Sequence, residues 1–385
     1  MKVGGVQKSL GNLLWTVHNE YDITLCLFSR RGAYIDDLPP DIKVIEVEGP
    51  FRYLGISQGE CKKSLGDTIK RGALALISRI FGRKKAIDLM LKHEHKLPDS
   101  YDCAIAFLHN GREKSFYGGV QEYVLKQVKA SRKIAYLHCD YTLCGADNEY
   151  NNRMIEQFDK IAACSEGCKR AFLSVLSHLE SKCIAVPNCH RYEKIRKMAE
   201  TDPITYDNDR INLLCVSRLS HEKGIERAIT ACADALDKGF PVTLHLVGDG
   251  AMKQELQALA NERKISEYVL FHGEQSNPYR YMKNADLLLL TSYHEAAPMV
   301  IDEALSVGLP VFATKTTTSY EMVTKREGGA VCENELTAIQ KALKSLLSDP
   351  EALRKLSDNL KARANECDNK KAKEAFCIAV TGENQ

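Results

Sequence analysis

The chain lacks any uninterrupted apolar run approaching the ~20 residues that a helix needs to cross a bilayer, so no spanning helix is expected. It also lacks an excess of charge of one sign. Fifty-three lysines and arginines stand against 51 aspartates and glutamates, a formal +2. Without a global field a nucleic-acid partner is not expected, and any electrostatic targeting must be local. Paired Cys-x-x-Cys and His-Glu-x-x-His spacings are missing too. The nearest approach is Cys164 with Cys168, four apart and without a companion pair, so no metal site is expected. The start shows no basic, apolar and small-residue pattern of a secretory leader. The fourteen cysteines are therefore expected to be reduced thiols in a cytoplasmic protein rather than disulfides.

What is present is apolar material for two cores: 44% of 385 residues are hydrophobic, enough for two domains at roughly 100–200 residues each. A short β-branched apolar run, then turn residues, then a stretch with helical spacing is the recurring unit, the pattern of βα units around a parallel sheet. Strand candidates in the first half are 22–28, 42–47, 102–107, 133–137, 160–164 and 183–186. From Arg191 the chain turns charged and then polar, through Thr201-Asp202-Pro203 and Asp207-Asn208-Asp209. Residues 191–210 therefore read as a linker between a first domain, 1–190, and a second, 211–366. The second series of strands is 211–216, 243–247, 269–271, 287–290 and 310–313. Helices follow over 336–347 and 350–365, and a lysine-rich tail covers 367–385. The class is α/β, two Rossmann-like domains whose parallel sheets face an interdomain cleft, with ligands expected beyond the carboxyl ends of the strands.

Several groups at those ends have chemical potential. After the strand 211–216 comes Ser217-Arg218-Leu219-Ser220-His221-Glu222-Lys223-Gly224. Two cations five apart beside a helix start suit a diphosphate, although a solvated loop with two surface charges fits the same residues. After the strand 287–290 comes His294-Glu295-Ala296-Ala297-Pro298-Met299-Val300-Ile301-Asp302-Glu303. Pro298 suits a first helical turn whose amides, around Ala297–Val300, face an anion. Glu295 is placed to accept hydrogen bonds from sugar hydroxyls and Glu303 to accept both hydroxyls of a ribose, against the plainer reading of helix caps and dipole partners. Gly4-Gly5 precedes a helical stretch from Leu10 and lets backbone approach a phosphate or sugar. His138 ends an apolar strand, where a lone histidine is as readily structural. Gly248-Asp249-Gly250 opens like a dinucleotide fingerprint, but Lys253 stands where the third glycine belongs. Residues 61–96 hold ten basic side chains against three acidic ones with apolar residues between them, which reads as a basic amphipathic helix for an anionic lipid surface or as an ordinary helix with a solvated face.

The Arg218 to Lys223 loop, the Glu295 to Glu303 element with its following Glu-Ala-Leu-Ser-Val-Gly-Leu-Pro-Val, and the early Gly-Gly together resemble glycosyltransferase family 4. The resemblance is strongest over residues 211–314. It implies the GT-B fold and retaining, metal-independent transfer from a nucleotide-diphosphate sugar to a glycan or lipid-linked saccharide, in capsule, lipopolysaccharide or glycolipid synthesis. It implies that Arg218 and Lys223 hold the donor diphosphate, Glu303 the ribose and Glu295 the transferred sugar, with backbone from Ala297 through Pro298 and Met299 to Val300 nearby. Gly4 and Gly5 would line the donor phosphates, His138 would lie near the reacting sugar, and Val186-Pro187-Asn188 resembles the Pro-Asn that closes the family's first domain. No cofactor is implied. Two departures stand out. Ala296-Ala297 replace a glycine and a bulky residue, and only Met1-Lys2-Val3 precede the Gly-Gly, so the first strand is expected to be truncated and a chain extended upstream to be more stable. A sugar-nucleotide epimerase of the same fold and a catalytically impaired nucleotide-sugar binder are the rival readings, and the expected location is cytoplasmic, peripheral on the inner face of the membrane.

Overall fold

The computed structural model describes residues 4–32, 34–56, 58–61 and 64–382. The expectation about a strand at Met1-Lys2-Val3 lies outside the described residues. The chain divides into two compact units, Met1–Cys189 with Asn369–Gln385, and His190–Asp368. The segment 191–210 is therefore not a linker: it opens the second unit with a helix, Tyr192–Ala199, whose buried Ile195 and Ala199 join that unit's core. Its charged residues misled because they form the solvent face of an amphipathic helix. The lysine-rich tail is likewise a helix, Lys370–Thr381, burying Ala372, Phe376 and Ala379 in the core of the first unit.

In the first unit, β1 (Thr24–Leu27) and β2 (Lys43–Glu46) form one parallel pair. A second parallel sheet runs in the order β3 (Ser100–Ala106), β4 (Lys129–Leu137), β5 (Lys160–Ala163) and β6 (Cys183–Ala185). A cavity of about 1720 Å³ is lined by residues of both β1 and β3. The first helix, Gly5–Val17, starts five residues before the expected Leu10, with Gly4 as its extended N-cap. It is tied to the end of the unit by Ser9 Oγ donating to Asn188 Oδ1 (2.6 Å) and Asn12 Nδ2 donating to the Cys189 carbonyl (2.9 Å).

The basic stretch 61–96 is two helices rather than one, Leu65–Phe81 and Arg83–Leu91, broken at Gly82 with φ +83°. Their apolar residues part company. Ala86, Ile87 and Met90 of the second are buried, whereas Leu65, Ile69, Leu76, Ile80 and Phe81 of the first are 56–79% exposed. Arg83 is not a surface cation. It is buried in an ion pair with Glu122 (3.4 Å). Lys62 and Lys63 lie outside the described residues, and Lys70, Arg79, Lys84, Lys85, Lys92 and Lys96 are exposed. Among the described residues no helix is long and apolar enough to cross a membrane.

The second unit holds one parallel sheet in the order β12-β11-β10-β7-β8-β9: β7 (Ile211–Val216), β8 (Val242–Val247), β9 (Val269–Gly273), β10 (Leu287–Leu290), β11 (Val311–Thr314) and β12 (Gly329–Cys332). Helices cover both faces, so β8, β10 and β11 are buried along their whole length and read as apolar runs rather than alternating patterns. Counted from β7, chain order runs outward to β9 on one side and from β10 to β12 on the other. The direction reverses between β7 and β10, and in such sheets that switch point opens the crevice in which ligands bind.

Candidate active site

The two loops singled out by sequence leave the sheet at that switch point, one after β7 and one after β10. They are bound to each other. Gly224, with φ +58°, ends the first loop. A Cβ there would fall 2.3 Å from the Thr291 carbonyl oxygen, so only glycine lets the loops close. Thr291 Oγ1 donates to the Gly224 carbonyl (2.8 Å), and the Arg227 guanidinium donates to the Thr291 carbonyl while stacking over the Tyr293 ring. Tyr293 N–H donates to the Glu222 carbonyl (3.0 Å). Asn334 Nδ2 donates to the Tyr293 and Lys315 carbonyls (2.9 and 3.1 Å), fixing the second loop from its far side.

Within this frame the structure brings Lys223 and Glu295 together. Lys223 Nζ lies 2.7 Å from Glu295 Oε1, with side chains only 19% and 9% exposed, and Ser292 Oγ donates to the same oxygen (2.6 Å). Arg218 is instead 70% exposed and pairs with Glu222 (3.0 Å). Burial would push the Glu222 carboxyl up, but the Ser220 hydroxyl and the Arg218 and Lys223 charges outweigh it and hold the group below its ordinary range. Both cations thus carry a carboxylate partner of the protein's own. An exposed pair such as Arg218 with Glu222 is worth little, so the guanidinium can exchange it for a more highly charged anion at small cost.

The helix after the second loop, Met299–Ser306, starts one residue later than expected. Pro298 is its N-cap, in extended backbone with its carbonyl accepting from Ile301 N–H (3.1 Å), and Ala297 stands before the helix. Met299 and Val300 open the first turn, where the helix dipole favours an anion. Glu303 is buried on the same helix. Its neighbour Asp302, not singled out by sequence, is held by Arg326 and by His190 Nε2 (3.4 Å). Burial alone would raise the Asp302 carboxyl, but these two partners pull it far below the usual carboxylate range.

Gly248-Asp249-Gly250 shows why a fingerprint can mislead. A Cβ on Gly248 would meet the Ser217 carbonyl oxygen at 1.9 Å, and one on Gly250 would meet that of Leu219 at 2.2 Å. These glycines let the loop after β8 support the Arg218 loop, with Leu219 N–H donating to the Asp249 carbonyl (3.0 Å). Nothing in their spacing distinguishes that role from phosphate binding.

Gly4, Gly5 and His138 belong to the first unit. The added Cβ at Gly5 would meet no protein atom within 4 Å, so the fold itself does not require glycine there. His138 follows β4, stacks on Tyr136 (5.3 Å between centroids), and is pushed down to about 3 by burial and by His109. It is a neutral imidazole at neutral pH.

Residues 199–363, most of the second unit, match the family model of glycosyl transferases group 1. Among individual relatives, the chain is 25% identical over 253 residues to the N-acetyl-alpha-D-glucosaminyl L-malate synthase of Bacillus anthracis, covering 61% of this chain and 64% of that one. It is 30% identical over 216 residues to the N-acetylgalactosamine-N,N'-diacetylbacillosaminyl-diphospho-undecaprenol 4-alpha-N-acetylgalactosaminyltransferase of Campylobacter jejuni, covering 55% and 57%. The chain therefore spans less than two thirds of these curated relatives. In fold it is similar to HepE of Anabaena, solved with UDP and glucose, with a TM-score of 0.66 at 18% identity over 99% of this chain and 96% of the other. The α/β architecture with parallel sheets is that of the GT-B glycosyltransferases.

Proposed function

We propose that this chain is a retaining glycosyltransferase of family 4 type, transferring a sugar from a nucleotide-diphosphate sugar to a glycan or lipid-linked saccharide in cell-surface polysaccharide or glycolipid synthesis. The observation that carries the reading is the convergence of Lys223, Glu295 and the Arg218 loop at the switch point of the second sheet. The group 1 match over that unit supports it. Arg218 and Lys223 bind the donor diphosphate, the opening turn at Met299 and Val300 adds its dipole, Glu303 holds the ribose, and Glu295 contacts the transferred sugar. As the bond from the anomeric carbon to the diphosphate oxygen breaks, the acceptor oxygen bonds to that carbon on the same face, and its proton passes to the departing phosphate. The protein then supplies charge stabilisation rather than a nucleophile, a metal or another cofactor.

Lys223→Ala should lower turnover ~10²–10³-fold, the typical cost of one lost contact to developing charge, with circular dichroism unchanged. Unchanged turnover in a folded variant would remove the assignment. Labelled donor incubated with and without acceptor separates the rivals. An epimerase releases a free or altered sugar without acceptor, and a binder turns nothing over in either.

The enzyme works at the cytoplasmic face of an anionic membrane, seated through the Leu65–Phe81 helix. Four large apolar side chains on one exposed face, Leu65, Ile69, Leu76 and Ile80, with Phe81, Lys70 and Arg79 also exposed on the same helix, suit the boundary between lipid headgroups and acyl chains.

A further inference from the structure

In the first unit three soft-metal donor atoms converge: one nitrogen of His109 and the sulfurs of Cys139 and Cys144 all lie within 4.8 Å of one another. Among the described residues this is the one place where three histidine, cysteine or carboxylate ligand atoms meet so closely. Sequence spacing concealed it, because the ligands come from two loops. His109 lies beyond the carboxyl end of β3, while Cys139 and Cys144 flank a turn beyond β4, the adjacent strand. That turn is built rigidly. Asp140 Oδ1 accepts from Thr142 N–H (3.0 Å) and Thr142 Oγ1 (2.6 Å), and Cys144 N–H donates to the Asp140 carbonyl (3.0 Å). The turn folds Cys144 back onto Cys139, bringing their sulfurs within 4.8 Å of each other. His109 Nδ1 is buried without a hydrogen-bond partner, an arrangement that costs free energy unless something else binds the nitrogen. A second thiol pair, Cys164 and Cys168 with sulfurs 3.7 Å apart, stands beside them within electrostatic reach of Cys139.

We propose that His109, Cys139 and Cys144 form a zinc site that ties the loops after β3 and β4 together, independently of the proposed transfer chemistry. Two thiolates and an imidazole are the ligand set zinc prefers, at ~2.3 Å for sulfur and ~2.0 Å for nitrogen. Two thiolates on one tetrahedral zinc sit a little under 4 Å apart by that geometry, so the observed spacing needs only small side-chain rotations. Three protein ligands leave a fourth position for water. The metal displaces the two thiol protons to solvent, and no oxidant or reductant is involved.

The test uses the whole chain, reduced and stripped of metal, then titrated with Co²⁺ as a coloured stand-in for Zn²⁺. One equivalent should produce thiolate-to-cobalt charge-transfer absorption together with the intense visible bands of a tetrahedral site, and Zn²⁺ should bleach both. Zn²⁺ should also raise the unfolding temperature. Cys139→Ser, Cys144→Ser and His109→Ala should each weaken Co²⁺ binding at least about tenfold. Cys168→Ser should bind as the parent does, which guards against a result that reflects only misfolding. Absence of the charge-transfer band, its survival in Cys144→Ser, or its loss in Cys168→Ser would each overturn the assignment.

Discussion

At the scale of single residues, Lys223 and Gly224 do different work although they are adjacent. Lys223 reaches across to Glu295, whereas Gly224 allows the two loops to meet at all. Replacing Gly224 by Ala imposes a left-handed backbone on a residue with a Cβ, costing about 1–2 kcal/mol, and drives that carbon against the Thr291 carbonyl. We expect Gly224→Ala to lose at least that much stability in urea unfolding, and a variant as stable as the parent would show that the loops can part without cost. Arg218, Lys223, Glu295 and Glu303 could be singled out in sequence as candidates because they lie on segments that directly follow apolar strands. Asp302, Asn334 and Glu222 were not. Their partners are His190 and Arg326, the loop carbonyls of Tyr293 and Lys315, and the Arg218 guanidinium, most of them distant in sequence.

At the scale of elements, the helix Met299–Ser306 is anchored by the ionised Asp302. Because the folded carboxyl lies below its ordinary value near 4, its contribution to stability is fully present above pH ~4 and is lost as the pH falls from there toward the depressed folded value. Acid unfolding followed by fluorescence should therefore be less steep below pH ~4 in Asp302→Asn than in the parent, and equal slopes would refute the anchoring role. The Leu65–Phe81 helix offers a separate test. Its exposed residues contribute little to the core, so Ile80→Asp and Leu76→Asp should leave thermal unfolding within a few degrees of the parent yet abolish binding to anionic vesicles. Raising salt should weaken binding of the parent, since each lysine or arginine near such a surface contributes ~1 kcal/mol. Parent protein that ignores anionic vesicles at low salt would end the membrane reading. The periodicity over 61–96 was visible in the sequence, but its direction was not. The same spacing buries Ile87 and exposes Ile80, because Gly82 turns the chain between them.

At the scale of the whole molecule, a nucleoside diphosphate should bind the native state and not the unfolded one. The nucleoside diphosphate that fits, at a hundred times its dissociation constant, should then stabilise by about 2.7 kcal/mol, read as a rise in unfolding temperature that Lys223→Ala abolishes. If every nucleoside diphosphate leaves the parent's unfolding unchanged, the donor site is misassigned. The alternation of strands and helices needed only local pattern, and so the α/β class, the parallel sheets and the loops at their carboxyl ends were determined by sequence alone. The strand Gly329–Cys332 escaped it because four residues with two small side chains carry no period of their own. Where the first unit ends and the second begins was decided by packing: a charged helix at 192–199 and a lysine-rich one at 370–381 each follow their buried face, not their composition. Tertiary structure alone also decided which loops become neighbours. The reversal of strand order between β7 and β10 sets Lys223 against Glu295, and the pairing of β3 with β4 carries His109 to within reach of Cys139 and Cys144. A linear pattern records the distance along the chain between such groups, whereas their chemistry depends on their distance through space.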